Sequence, residues 1–141
     1  MKKACLCLVV AAFLCAGHAA AQDSGILEPI KIFDQYYGTA DMDRVADVVT
    51  SNFRDGKPKT LWVSETWQIL QELGYERLGS EVLDTEVKGD VGLVRLRAKN
   101  QTAVGVVKQD EVFSLVKDGG IWLIDDLQIM NEELEAEKEE L

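Results

Sequence analysis

From Gln22 to Leu141 the sequence has no cysteine and no histidine; Cys5, Cys7, Cys15 and His18 all come earlier. A working chain confined to that stretch has no disulfide, no thiol or imidazole nucleophile and no imidazole base. It also has no metal site built on Cys or His. Proline is limited to Pro29 and Pro58. No glycine-rich phosphate loop or dinucleotide fingerprint is present. Basic residues are scarce, 15 Lys+Arg against 25 Asp+Glu. An acidic surface of this kind repels nucleic acid and anionic membrane, so neither is an expected partner.

Long apolar runs are also missing, with one exception. Lys2 and Lys3 precede an apolar run from Ala4 to Ala16, and Ala19, Ala20 and Ala21 put small residues at a cleavage position. The pattern predicts a signal peptide over residues 1–21, cut before Gln22. Left uncut, the uncharged stretch from Ala4 to Gln22 is near the lower limit for a membrane span. A lipoprotein signal would need a small residue before its cysteine, and Leu14 precedes Cys15. The expectation is a periplasmic or secreted protein with no stable membrane anchor after cleavage. Loss of Lys2 and Lys3 leaves 13 basic against 25 acidic residues, a net charge of −12. Six Glu and one Lys of that total lie in Asn131–Leu141.

What remains has the length of one domain. Residues 22–28 read as a short polar leader. Pro29 suits a first helical turn, and Ile26, Ile30, Phe33 and Tyr37 then fall on one helical face. Gly38 is a stop. Thr39 or Asp41 can cap a second helix with Met42, Val45, Ala46 and Val49 on its apolar face. Phe53 is expected on a short strand, and Asp55-Gly56-Lys57-Pro58 in a turn. A third helix, Thr60 to Leu73, carries Trp62, Ile69, Leu70 and Leu73 on one side and ends at Gly74. Beyond Tyr75 the period changes to two. Turns at Lys88-Gly89-Asp90, Lys99 to Thr102 and Asp118-Gly119-Gly120 predict an antiparallel meander. Helices first and a meander afterwards make an α+β fold, with three N-terminal helices packed on one face of the sheet. The domain is expected over residues 29–130, followed by an acidic tail, residues 131–141, in a frayed helix.

Pairing about Lys117–Gly120 sets Val116 opposite Ile121, Phe113 opposite Ile124 and Glu111 opposite Asp126. Pairing about Asn100-Gln101 sets Leu96 near Gly105. One face then carries Val94, Leu96, Ala98, Val107, Phe113, Leu115, Trp122 and Ile124, whose bulk calls for burial against the helices. The other carries Arg95, Arg97, Lys108 and Asp110. It also holds Val104, Val106, Val112, Leu123 and Leu127, apolar enough to imply a partner sheet or subunit.

Three segments together resemble the NTF2-like (SnoaL-like, cone-shaped α+β) superfamily over Ile26 to Met130. They are Phe33-Asp-Gln-Tyr-Tyr-Gly-Thr-Ala-Asp41, then Asp41-Met-Asp-Arg-Val-Ala-Asp-Val-Val49 leading to Asn52-Phe53, and Asp118-Gly-Gly-Ile-Trp122-Leu-Ile124. The resemblance implies a curved sheet wrapped round three helices, a pocket in the cone, and a homodimer through the outer sheet face. Residues placed to line that pocket are Phe33, Tyr37, Trp62, Phe113, Leu115, Trp122, Ile124 and Gln128. The resemblance also implies a contrast with ketosteroid isomerase-like members. Phe33 stands where they have a catalytic Tyr, and Lys57-Pro58 replaces their Asp-Pro. The His–Asp pair of dehydratase-like members is impossible here.

Among the remaining groups, Glu111 and Asp126 are candidates for proton transfer if their opposition desolvates them, although carboxylates at a sheet end are usually hydrated. Asp55 is a candidate base, although Asp before Gly more often serves turn chemistry. Tyr36 or Tyr37 can present a hydroxyl to the cone. Trp62 and Trp67, five apart, fit one core and one rim position. No cofactor or metal is expected. The function expected is an exported, non-catalytic module binding a small apolar molecule or a protein partner. The alternatives are an isomerase- or lyase-type enzyme using Glu111 or Asp126, and a structural homodimer subunit.

Overall fold

The computed structural model describes residues 24–135. The expected signal peptide and the end of the acidic tail lie outside them. A 3-10 turn, Ser24–Leu27, leads into α1 (Glu28–Tyr36), α2 (Met42–Ala46) and α3 (Lys59–Glu72). Strands β1 (Glu76–Lys88), β2 (Val91–Thr102), β3 (Gly105–Asp118) and β4 (Ile121–Leu134) follow. They form one antiparallel sheet in sequence order. The architecture is α+β, with the helices on one face of a curved meander.

Pro29 sits in the first turn of α1, and Ile30 and Phe33 are buried beneath it. Ile26 is also buried, so the packed domain begins inside the expected leader. Gly38 ends this segment with φ of +80°, and a Cβ there would stand 2.7 Å from the Tyr75 ring. Both facts require glycine. The turn into α2 is closed by Thr39, not by an Asp41 side-chain cap. Its hydroxyl donates to the Tyr36 carbonyl at 2.7 Å and accepts from the Asp41 N–H at 3.2 Å. Met42, Val45, Ala46 and Val49 are all buried, as their spacing predicts.

Phe53 is not on a strand. The extended contact comes earlier, at Val49, which bridges Ile124 in parallel. Ile124 N–H donates to Val48 O, and Thr50 N–H donates to Ile124 O. Phe53 sits in the following turn with its ring edge-on to Phe33 and Trp62. On α3, Trp62 and Leu70 are buried, but Ile69 and Leu73 are more than half exposed. That helix packs mainly on α2, so it buries a narrower stripe than predicted.

The sheet corrects the expected registers. The β2–β3 turn falls at Ala103-Val104, three residues later than expected, and Leu96 lies opposite Glu111. Asn100 continues the inward alternation and is buried instead of turning the chain. The pairing offset changes by an even number, so the predicted faces survive. The β3–β4 turn is also displaced, pairing Asp118 with Ile121 and Leu115 with Ile124. A bulge at Asp125 then pairs Ser114 with Asp126 and Glu111 with Ile129. Asp125 is held there by the Thr50 hydroxyl at 2.7 Å and, through its carbonyl, by the Asn52 amide at 3.2 Å. A bulge reverses the alternation beyond it. Leu127, expected on the outer face, therefore packs against the core, while Asp126 and Gln128 are exposed. Residues 131–134, expected in a frayed helix, continue β4 as strand.

The bulge makes a testable claim about parity. Leu127→Asp should cost about 1–3 kcal/mol by burying an unpaired polar group, whereas Gln128→Asp should stay within about 0.5 kcal/mol of the parent. Urea unfolding of the two variants checks this.

Candidate functional site

The core is solid at one end of the sheet and hollow at the other. Phe33 is the hinge between the two. Its ring stacks on Tyr37 at 4.3 Å and meets Phe113 edge-on at 5.1 Å. Phe113, Leu115, Trp122, Ile124 and Trp62 fill the solid end. Beyond Phe33 opens a cavity of about 410 Å³ between α1, the end of α3 and all four strands. Its apolar wall is supplied by Leu70, Leu73, Val107, Leu127 and Ile129. Leu127 and Ile129 reach it because of the Asp125 bulge. Tyr37 and Tyr75 meet edge-on at 5.6 Å along one side.

The floor of the cavity carries charge. Arg77 reaches inward from β1, and its side chain is 2 % exposed. Its Nη1 and Nη2 donate to the two Glu111 carboxylate oxygens at 3.1 and 2.7 Å. Its Nε donates to Asp34 Oδ1 at 2.6 Å. The guanidinium lies 5.1 Å from the Phe33 ring centre. Gln109 donates to Glu111 Oε2 at 2.6 Å, and Ser80 donates to Asp34 Oδ2 at 2.5 Å. The Tyr75 hydroxyl donates to Asn100 Oδ1 at 3.1 Å. Burial works to lower the Arg77 pKa, but the hydrogen bonds and charge of Glu111 win, and the guanidinium is held above its ordinary value. Burial, reinforced by Tyr75 and opposed by Arg77, pushes the Tyr37 hydroxyl up to about 12. Burial also raises Tyr75, against the pull of Arg77.

The sequence-predicted residues separate accordingly. Phe33 and Tyr37 line the cavity. Trp62, Phe113, Leu115, Trp122 and Ile124 do not, because they interlock in the solid core. Gln128 is turned outward by the bulge. Of the expected outer-face set, Val106, Val112 and Leu123 are half-buried, Leu127 lines the cavity, and Val104 stands 76 % exposed at its mouth. Glu111 is buried on the inner face, but its partner is Arg77, not Asp126. Asp55 is exposed in the turn after α2 with φ of +54°, away from the cavity. Tyr36 packs outside, beneath Arg44. Trp67 is the exposed rim tryptophan. Arg97 is balanced by Asp110 at 3.0 Å.

Arg77, Asp34, Tyr75 and Asn100 were not singled out from sequence. Tyr75 and Arg77 are alternate residues at the point where the period changes to two, and Asp34 lies four residues after Ile30, one turn along its side of α1. That spacing was the available signal.

No protein-family model matches the chain, and no protein of curated function matches it in sequence. Similarity appears only in structure. A variant of Rv3472 from Mycobacterium tuberculosis, described as of unknown function, shares 21% identity over 78% of this chain and 71% of its own, with a TM-score of 0.60. RPA3114 from Rhodopseudomonas palustris, a SEC-C motif containing protein, gives 18% identity over 64% and 67%, with a TM-score of 0.51. Bd1075 from Bdellovibrio bacteriovorus gives 12% identity and a TM-score of 0.51 over 71% of this chain but only 37% of that protein. These likenesses concern the fold alone.

The charged groups at the floor are engaged with one another. Glu111 accepts three hydrogen bonds in a buried, bidentate pair, so using it as a base would first require breaking that pair. Among the described residues, no group of three or more His, Cys, Asp or Glu is placed to hold a metal ion. None of their helices is long and apolar enough to cross a membrane.

The phenols give a pH prediction. Tyr37 is raised in the folded state from 10.0 to about 12, so the unfolded chain ionises first and the fold loses stability progressively from about pH 10 to about pH 12. Tyr37→Phe should flatten that loss. Urea midpoints measured across the range, for parent and variant, check it.

Proposed function

We propose that this chain is an exported, non-catalytic binding module of the NTF2-like kind, which takes a small, largely apolar molecule into the cavity beyond Phe33. One observation carries the reading. The cavity of about 410 Å³ is walled mostly by apolar side chains, while the charges at its floor are already spent on one another. Cavities of a few hundred Å³ with few convergent polar groups are the usual form of small-molecule sites. The four-stranded curved sheet and its helices support the NTF2-like cone. The leader-like first 21 residues support periplasmic placement or secretion. The partly exposed Val106, Val112 and Leu123 support an outer-face homodimer. The isomerase- or lyase-type alternative has weaker support, because Glu111 is engaged by Arg77 and Asp126 lies on the opposite face.

The neutral fluorophore N-phenyl-1-naphthylamine is a suitable probe. Its emission should rise saturably with the protein and fall to background with Val107→Trp, which fills the cavity. Ala103→Trp, at the exposed mouth, should weaken it without disturbing the core. Unchanged emission with both folded variants would exclude the cavity as the binding site.

A further inference from the structure

The charge at the cavity floor is paired but not balanced. Asp34 and Glu111 contribute two carboxylates around the single Arg77 guanidinium, and Glu132 adds a third carboxylate at the rim. Three of the five Arg77 N–H donors go to the two carboxylates, and the Tyr75 hydroxyl is turned to Asn100. An anionic head group would thus meet a guanidinium with little left to donate, in a field that repels it. A cationic head meets the reverse. The Tyr37 hydroxyl has no hydrogen-bond partner among the described residues, and its oxygen can accept. Gln109 spends its amide N–H on Glu111, which leaves its carbonyl oxygen as an acceptor. Tyr37 and Tyr75 add aromatic surface beside the same floor, and such rings attract ammonium groups, the more so when water is excluded.

We propose that the cavity selects an amphipathic molecule with a cationic ammonium head and an apolar tail. The head lies toward Tyr37, Gln109 and Glu111, and the tail lies along Leu127, Ile129 and Val107 toward the mouth. This assignment rests on the binding function proposed above and specifies its ligand class.

Three octyl compounds that differ only in the head separate the two claims. Octylammonium, octan-1-ol and octanoate are each titrated against protein loaded with N-phenyl-1-naphthylamine, at neutral pH and low salt. Octylammonium should displace the probe at about one tenth the concentration that octanoate needs, the difference expected from one unit charge acting at close range. Octan-1-ol should fall between them. Glu132→Gln should narrow the gap between cation and anion. Octylammonium binding, followed directly by calorimetry because Val107→Trp no longer takes the probe, should disappear in that variant. Equal displacement by all three, or a preference for octanoate, overturns the head-group assignment while leaving the cavity as a binding site. Octylammonium binding that persists in Val107→Trp shows adsorption to the acidic surface and also overturns it. Failure of all three to displace the bound probe overturns the head-group assignment alone, whereas failure of the parent protein to bind the probe overturns the binding function and the assignment with it.

Discussion

The buried contact of Arg77 with Glu111 and Asp34 is the constraint on which this structure turns. It joins α1, β1 and β3 through a side chain 2 % exposed and a carboxylate partner 1 % exposed. Such a group is not a cheap source of stability. Desolvating two ions costs several kcal/mol each, and their attraction returns that only with good geometry and satisfied remaining hydrogen bonds. Here the geometry is bidentate, and Gln109, Ser80 and the Phe33 face complete the surroundings. The arrangement also specifies position. Asp34 must face Arg77 and Ser80 on β1, so the rotation of α1 about its axis is fixed, and Phe33 is fixed with it.

Everything on the two sides of Phe33 follows from that placement. Toward the β3–β4 hairpin, large apolar side chains interlock and leave no room. Toward the β2–β3 turn, the inward positions pass from Ala98 to Asn100 and from Phe113 to Glu111 and Gln109, which are buried but polar. Polar groups here hold one another, and space is left above them. The Asp125 bulge completes the cavity by turning Leu127 and Ile129 into its wall. The Lys99 and Lys108 contacts to Glu135, at 3.1 and 2.8 Å, hold the end of β4 beside the neighbouring strands on the outer face.

The α+β order, the stops at Gly38 and Gly74 and the inward set on β2 and β3 were legible because each rests on short-range physics. Positive φ selects glycine, and side chains alternate along a strand. The hairpin position at Ala103-Val104 was obscured by Asn100, Gln101 and Thr102, which read locally as turn residues. Burial of Asn100 against Tyr75 overrides that preference. The Asp125 bulge was invisible because its cause lies in the hydroxyl of Thr50 and the amide of Asn52, more than seventy residues away. The pairing of Glu111 with Asp126 failed because the β3–β4 turn lies one residue later than expected and the bulge then shifts β4 by one more, turning Asp126 outward. Arg77 was passed over because a single basic residue at the start of a strand looks solvated until its inward partners are known.

The central claim is that the floor of the cavity is a closed ionic unit, not a set of reactive groups. A double-mutant cycle on Arg77→Met and Glu111→Leu, followed by urea unfolding and N-phenyl-1-naphthylamine binding, tests it most directly. Each single variant should lose about 3–5 kcal/mol by stranding a buried charge, and the double variant should recover most of that loss. The double variant should also still take up the probe. Single variants that cost no more than the double, or a double variant that folds but no longer binds, would contradict the account.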